Sequence, residues 1–113
     1  MECTFEEVGD VLKIGLEGRF VAANADEVCE RVTKRIGKAK KVVFDLSKMV
    51  HIDSSGLGVL VKFQKRANAE GIAIRLAALL PHPQLVFDIT KVYKVFDICE
   101  TVDQALASFA SPA

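Results

Sequence analysis

The order of apolar patterns along the chain predicts an α/β domain, a mixed sheet of four to five strands flanked by about four helices. Three observations carry this. Runs with the two-residue period of strands alternate with runs of helical period, and two strand-like runs at the start are separated by only Gly9-Asp10. Gly37, Gly71, Pro81 and Pro83 punctuate the later changes of period. A two-residue link forces an antiparallel hairpin, whereas strands separated by helices must run parallel. With 113 residues the chain can bury one substantial core but not two, so 1–113 is read as a single domain, with a frayed tail from about Ala110.

Each element has its own signal. Phe5 and Val8, then Val11, Ile14 and Leu16, supply the two arms of the opening hairpin. Asn24 and Glu27 have capping-box spacing, and Ala25, Val28, Cys29, Val32 and Ile36 form the stripe of a first helix that Gly37 ends. Val42, Val43 and Phe44, closed by Asp45 and Leu46, have the composition of a central strand covered on both faces. Ser47 to Asp53 reads as a loop. Gly56, Val59, Leu60, Phe63 and Ala67 mark the buried stripe of a second helix, with Lys62, Lys65 and Arg66 elsewhere on it and Gly71 at its end. Ile72, Ile74 and Leu76 alternate as a strand. Pro81 and Pro83 open a short helix carrying Leu85, Val86 and Ile89. Val95, Phe96 and Ile98 give a last short strand, and Thr101 with Gln104 caps a terminal helix through Val102, Ala105, Leu106 and Phe109.

Composition narrows the function. Fifteen Lys and Arg balance fifteen Asp and Glu, so no net field draws phosphate backbones or anionic lipid, and neither nucleic acid nor membrane is an expected partner. Lys38, Lys40 and Lys41 read as a solvated edge. Cys3, Cys29 and Cys99 are odd in number and far apart, which fits a reducing compartment, and Cys29 on a helical stripe reads as a small core residue. The acidic start, with Glu2, Glu6 and Glu7, carries no secretory pattern, and the apolar run Ile72 to Leu80 is interrupted by Arg75. The expected location is the cytoplasm. No metal-ligand spacing and no phosphate-binding glycine loop points to a metal or other cofactor.

The chemistry concentrates in His51-Ile52-Asp53-Ser54-Ser55-Gly56-Leu57-Gly58-Val59-Leu60, between a buried strand and a helix. Asp53 or Ser54 suits the N-cap, which leaves Ser55 in or beside the first turn, where unpaired N–H groups and the positive end of the helix would receive a phosphate. Gly56 and Gly58 would give another protein's active site access to that hydroxyl, although each glycine costs a helix roughly 0.5–1 kcal/mol. A plainer reading is that Asp53, Ser54 and Ser55 only cap the helix and that the glycines allow close packing; spacing alone favours it. A nucleophilic Ser55 with His51 and Asp53 lacks the glycine pattern of a nucleophile elbow, and His51 and His82 read as loop residues, so no enzyme activity is expected.

The run Asp53-Ser54-Ser55-Gly56-Leu57-Gly58, following Asp45-Leu46-Ser47, resembles the signature of anti-sigma-factor antagonists of the STAS-domain family. The resemblance extends over the hairpin, Gly18-Arg19, Leu79 to Pro81 and the terminal helix. It implies a STAS-type single domain in which Ser55, the second serine, is the phosphoacceptor. It also implies the partners: an anti-sigma factor that is a serine kinase using Mg-ATP, a metal-dependent serine phosphatase, and a sigma factor reached only indirectly. Unmodified protein would capture the anti-sigma factor and release sigma, and the phosphorylated form would not. Asp53, Ser54, Gly56, Leu57, Gly58 and Val61 would form the docking surface, with Leu57 and Val61, off the core stripe, either as apolar anchors for the partner or, equally well, in contact with a neighbouring helix of the same domain. Where relatives carry an aspartate and a threonine near the acceptor, this chain has Gly18-Arg19-Phe20-Val21 and then Asn24-Ala25, which bears on which kinase is recognised. STAS modules also serve as structural subunits of stress-sensing assemblies or lipid-transport ATPase complexes, and that is the alternative reading.

Overall fold

The computed structural model describes residues 1–110, so the expected frayed tail falls on residues outside the description. The elements are β1 (Glu2–Val8), β2 (Val11–Phe20), α1 (Ala22–Ile36), β3 (Lys41–Asp45), β4 (Met49–Ile52), α2 (Ser54–Glu70), β5 (Ala73–Ala77), α3 (Pro81–Thr90), a single 3-10 turn (Val92–Lys94), β6 (Ile98–Cys99) and α4 (Val102–Ala110). The α/β class holds, and the strand count rises to six.

The strands run in the order β1-β2-β3-β5-β6, with β4 also paired to β2. The hairpin β1–β2 is antiparallel and every other pairing is parallel, which makes the sheet mixed as the spacing of elements requires. β2 is ten residues long and changes partner midway, pairing with β3 from Leu12 to Gly15 and with β4 from Gly18 to Phe20. The change falls between Gly15 and Gly18, and the pairing with β4 then carries a bulge between Gly18 and Arg19, where Gly18 has φ +104°, a value that favours glycine.

Three sequence expectations change here. Ser47 to Asp53 is not simply a loop, because it contains β4, and His51 lies on that strand. Met49 and Ile52 are buried while Val50 is 55% exposed, so the segment lacks the alternation by which a strand is recognised; pairing with the distant end of β2 creates it. The last strand is only Ile98 and Cys99, since Val95 closes the 3-10 turn and Phe96 is buried with its ring 5.7 Å from that of Phe87. α1 begins before Asn24, at Ala22. Asn24 occupies the third helical position and its Oδ1 accepts the Val21 N–H at 3.1 Å, so it supplies only the backward half of a capping box. At α4 the Thr101 hydroxyl accepts the Gln104 N–H at 3.0 Å as expected, while the Gln104 amide oxygen accepts from Glu100 rather than Thr101.

Two unequal layers cover the sheet. The larger core joins α1, α2 and Phe87 of α3 to Leu12, Ile14, Leu16, Phe44 and Leu76, with Phe44 stacked on Phe63 at 5.9 Å. On the other face α4 seats Ala105 over Val11, Val43 and Ala77. Arg75 holds that helix from beneath, its guanidinium 4.6 Å from the Phe109 ring and its Nε 3.2 Å from the Ser108 hydroxyl. The central strand β3 is thus covered on both sides, as its composition indicated. Cys29 is half-buried against the larger core.

Because Phe44 is 1% exposed and sits in this central strand, Phe44→Ala should cost about 3–5 kcal/mol in urea unfolding, a large part of a typical domain's stability. A loss below 1 kcal/mol would show that Phe44 does not anchor the core.

Candidate functional site

The site forms where two parallel strands end side by side. Phe20 pairs with Ile52, and the next residue along β4, Asp53, donates its N–H to the Phe20 carbonyl at 3.1 Å. The chain then turns into α2, with Asp53 extended at φ −108° and ψ −175° as the N-cap. Its Oδ1 accepts the N–H groups of Ser55 (2.9 Å) and Gly56 (3.1 Å). Its Oδ2 reaches across and accepts the N–H of Ala22, the first residue of α1, at 3.0 Å. α1 follows Val21, which has no side-chain acceptor to offer, so one carboxylate serves the starts of two helices.

These bonds keep Asp53 ionised. The N–H of Gly56 foremost, then those of Ala22 and Ser55 and the nearby His51, hold its carboxyl below the usual carboxylate range against a smaller upward push from desolvation. Of the amides expected to be free for a phosphate on Ser55, those of Ser55 and Gly56 are already taken by Asp53, a correction that follows from what an N-cap side chain does: it accepts from the second and third amides of the helix.

The two glycines do different things. A Cβ on Gly56 would lie 2.5 Å from the Phe20 carbonyl oxygen and 2.8 Å from its Cγ, so Gly56 is needed for α2 to lie against β2. A Cβ on Gly58 would meet nothing within 4 Å. Close packing thus accounts for Gly56, and open access to the helix surface describes Gly58.

Of the residues singled out, Ser54 and Gly58 are exposed and Ser55, Asp53 and Val61 are half-buried. The Ser55 hydroxyl has no hydrogen-bond partner among the described residues. Leu57 does not face outward: it is 6% exposed within the main core, and Val61 packs partly against the same core. The expectation that Leu57 lies off the buried stripe fails, and the alternative of a neighbouring helix fits instead, because α1 packs alongside α2 and widens its buried arc; Val61 stays at the margin, half-buried. The exposed line of α2 runs through Ser54, Gly58, Lys62 and Lys65.

Other parts of the site were not foreseen. His51 and His82, the chain's two histidines, lie with ring centroids 4.7 Å apart, joining β4 to the first turn of α3. Phe20 and the Ala22 amide, which carry no chemical signature in the sequence, complete the frame. Asn24 braces it, its Nδ2 donating to the Arg19 carbonyl at 2.8 Å. The stretch from Gly18 to Ala25 is therefore in direct contact with the Asp53 cap, through the Phe20 carbonyl and the Ala22 amide.

A model of the STAS domain matches residues 2–105. BtrV of Bordetella bronchiseptica, named as a candidate anti-sigma factor antagonist, is 27% identical over 110 residues, covering 96% of this chain and 95% of its own. Among solved structures, a candidate anti-sigma factor antagonist of Thermotoga maritima superposes with TM-score 0.91 at 22% identity over 96% of this chain and 95% of that one. The Bacillus cell-fate determinant SpoIIAA in its phosphorylated form does so with TM-score 0.72 at 17% identity, over 96% and 99%. No helix among the described residues is long and apolar enough to cross a membrane.

Two measurements follow. Gly56→Ala should destabilise by about 1–3 kcal/mol through overpacking, whereas Gly58→Ala should be neutral or stabilise by up to about 1 kcal/mol through helix propensity; equal effects in urea unfolding would refute the division of roles. Asp53 has a depressed carboxyl pKa in the fold, so its contribution is present above the unfolded value, near 3.9, and is lost as pH falls through the lower folded value. Below about pH 4, Asp53→Asn should lose stability with falling pH less steeply than the parent. Identical slopes would mean that the carboxylate bonds do not form in solution.

Proposed function

The chain belongs to the STAS domain family, and on that premise we propose that it is a cytoplasmic anti-sigma factor antagonist switched by phosphorylation of Ser55. The observation that carries this is a half-buried serine whose hydroxyl has no partner among the described residues, held in the first turn of α2 beside an open Gly58. The names of its relatives support the reading, and one of them is a structure of a phosphorylated form.

The unmodified protein presents Ser54, Ser55, Gly58 and the exposed part of Val61 to an anti-sigma factor that is also a serine kinase. Gly56 and Leu57 act beneath that surface, one seating the helix and the other anchoring it in the core. In the transfer, the Ser55 Oγ bonds to the γ-phosphorus of Mg-ATP as the bond from that phosphorus to the bridging oxygen breaks. ADP leaves, and the hydroxyl proton passes to a base of the kinase. A metal-dependent phosphatase reverses the mark by adding water across the phosphoester, which restores the hydroxyl and releases inorganic phosphate.

The added group carries about 1.5–2 negative charges at neutral pH. A contact built around a neutral hydroxyl must then desolvate a dianion, and each 1.4 kcal/mol of that cost weakens binding about tenfold. The anti-sigma factor lets go, and sigma is captured again. A triad reading has less support, since the carboxylate that would orient an imidazole is occupied by three backbone amides and the His51 ring lies against that of His82.

Incubation with the anti-sigma kinase and Mg-ATP should label Ser55, with label lost in Ser55→Ala and kept in Ser54→Ala. Phosphorylation should weaken binding to that protein at least tenfold in a direct titration. Label retained in Ser55→Ala would overturn the site. Tight binding indifferent to the phosphate would favour a structural subunit of a larger assembly.

A further inference from the structure

Asp53 spends its carboxylate in two directions. Oδ1 bonds the amides of the turn that carries Ser55, and Oδ2 bonds the first amide of α1, 31 residues earlier in the chain. The second bond depends on the first, because Oδ1, fixed by two N–H groups, sets the plane of the carboxylate and so aims Oδ2 at Ala22. A phosphate on Ser55 would be a stronger acceptor, with more oxygens and more charge, attached to the residue that donates one of those two amides. It would also repel the carboxylate beside it.

We propose that Asp53 is the relay by which modification of Ser55 reaches the start of α1: the phosphate takes the Ser55 and Gly56 amides, Asp53 is displaced, and the Ala22 N–H loses its acceptor. This rests on Ser55 being the modified residue and adds a second surface on which the switch is read, the Val21 to Asn24 turn. The frame around that turn confines the change. Asn24 stays tied to the Val21 N–H and the Arg19 carbonyl, and the Asn24 and Ala25 amides already bond the Val21 carbonyl at 3.0 and 2.9 Å. One amide is released and the rest of α1 keeps its bonds, so the fold is unchanged while a binding edge becomes looser.

The test installs phosphoserine at position 55 of the full chain by genetic encoding, which needs neither kinase nor partner. Exchange of the Ala22 amide, followed by NMR, should quicken roughly tenfold relative to the unmodified chain, as for an amide that loses a charged acceptor. Ala22→Pro removes the donor while suiting the first helical position, since proline is at home there and Val21 is already extended at φ −134° and ψ 172°. In that variant the Asp53 carboxyl should titrate closer to an ordinary aspartate, and phosphoserine at 55 should no longer alter the amides of Ala23 and Asn24. An Ala22 amide unchanged or better protected in the phosphorylated chain would overturn the relay. So would an undiminished response of Ala23 and Asn24 in Ala22→Pro, and should that variant not fold, the comparison in the parent chain decides alone. Anti-sigma binding measured on the same phosphorylated chain tests the antagonist reading separately, so each can fail without the other.

Discussion

Gly56 brings the first turn of α2 onto the carbonyl of Phe20, and that approach sets where Ser55 can stand. The carbonyl at the end of β2 would lie only 2.5 Å from any Cβ, so the helix can be this close only where the side chain is a hydrogen. Closeness puts Asp53 within reach of two helix starts at once. It also lets the buried stripe of α2 (Val59, Leu60, Phe63 and Ala67) lie flat on the sheet, which orients the opposite line of Ser54, Gly58 and Lys62 toward solvent. The exposure of Ser54, with Ser55 half-buried beside it, is therefore a consequence of packing beneath them.

The fold was legible wherever a residue's own neighbours decide its state. Val42 to Phe44 needed both faces covered, the stripe of α2 needed one, and Gly9-Asp10 left room only for a hairpin. Legibility failed wherever a distant segment decides. β4 exists because β2 runs on past β3 and offers a second edge, a fact about chain length after Gly15 that no pattern within Met49 to Ile52 contains. Leu57 was assigned to the outside by its angle on the helix, yet a second helix alongside turns that angle inward. Phe20 and Ala22 act through backbone atoms, which every residue shares, so no side-chain signature could have announced them.

Within the site itself, Asp53 was legible as a cap and Ser55 as a first-turn serine, because capping is local and tolerates few residue types. What local reasoning missed is that the cap changes the electrostatics it was meant to expose. A hydroxyl cap would leave the helix start positive and receptive, whereas a carboxylate neutralises much of it in advance. Gly58 and Gly56, alike in sequence, were told apart only by what stands opposite each of them.

The donors at the start of a helix are few, and a carboxylate already holds those nearest Ser55, so a second anion arriving there cannot simply be absorbed. In the proposed switch its charge would have two outlets. One would be outward, as the desolvation cost imposed on a protein resting on Ser54 and Gly58; the other would be inward, through competition for the amides that fix Asp53. The inward outlet cannot spread far, because the next layer is the apolar core of Phe20, Leu57 and Leu60, which offers nothing for a displaced carboxylate to bond and every reason to stay packed. A rigid core under a carboxylate with shared obligations would thus keep the proposed switch local: the sheet would hold still, and only the polar rim from Val21 to Gly58 would register the change.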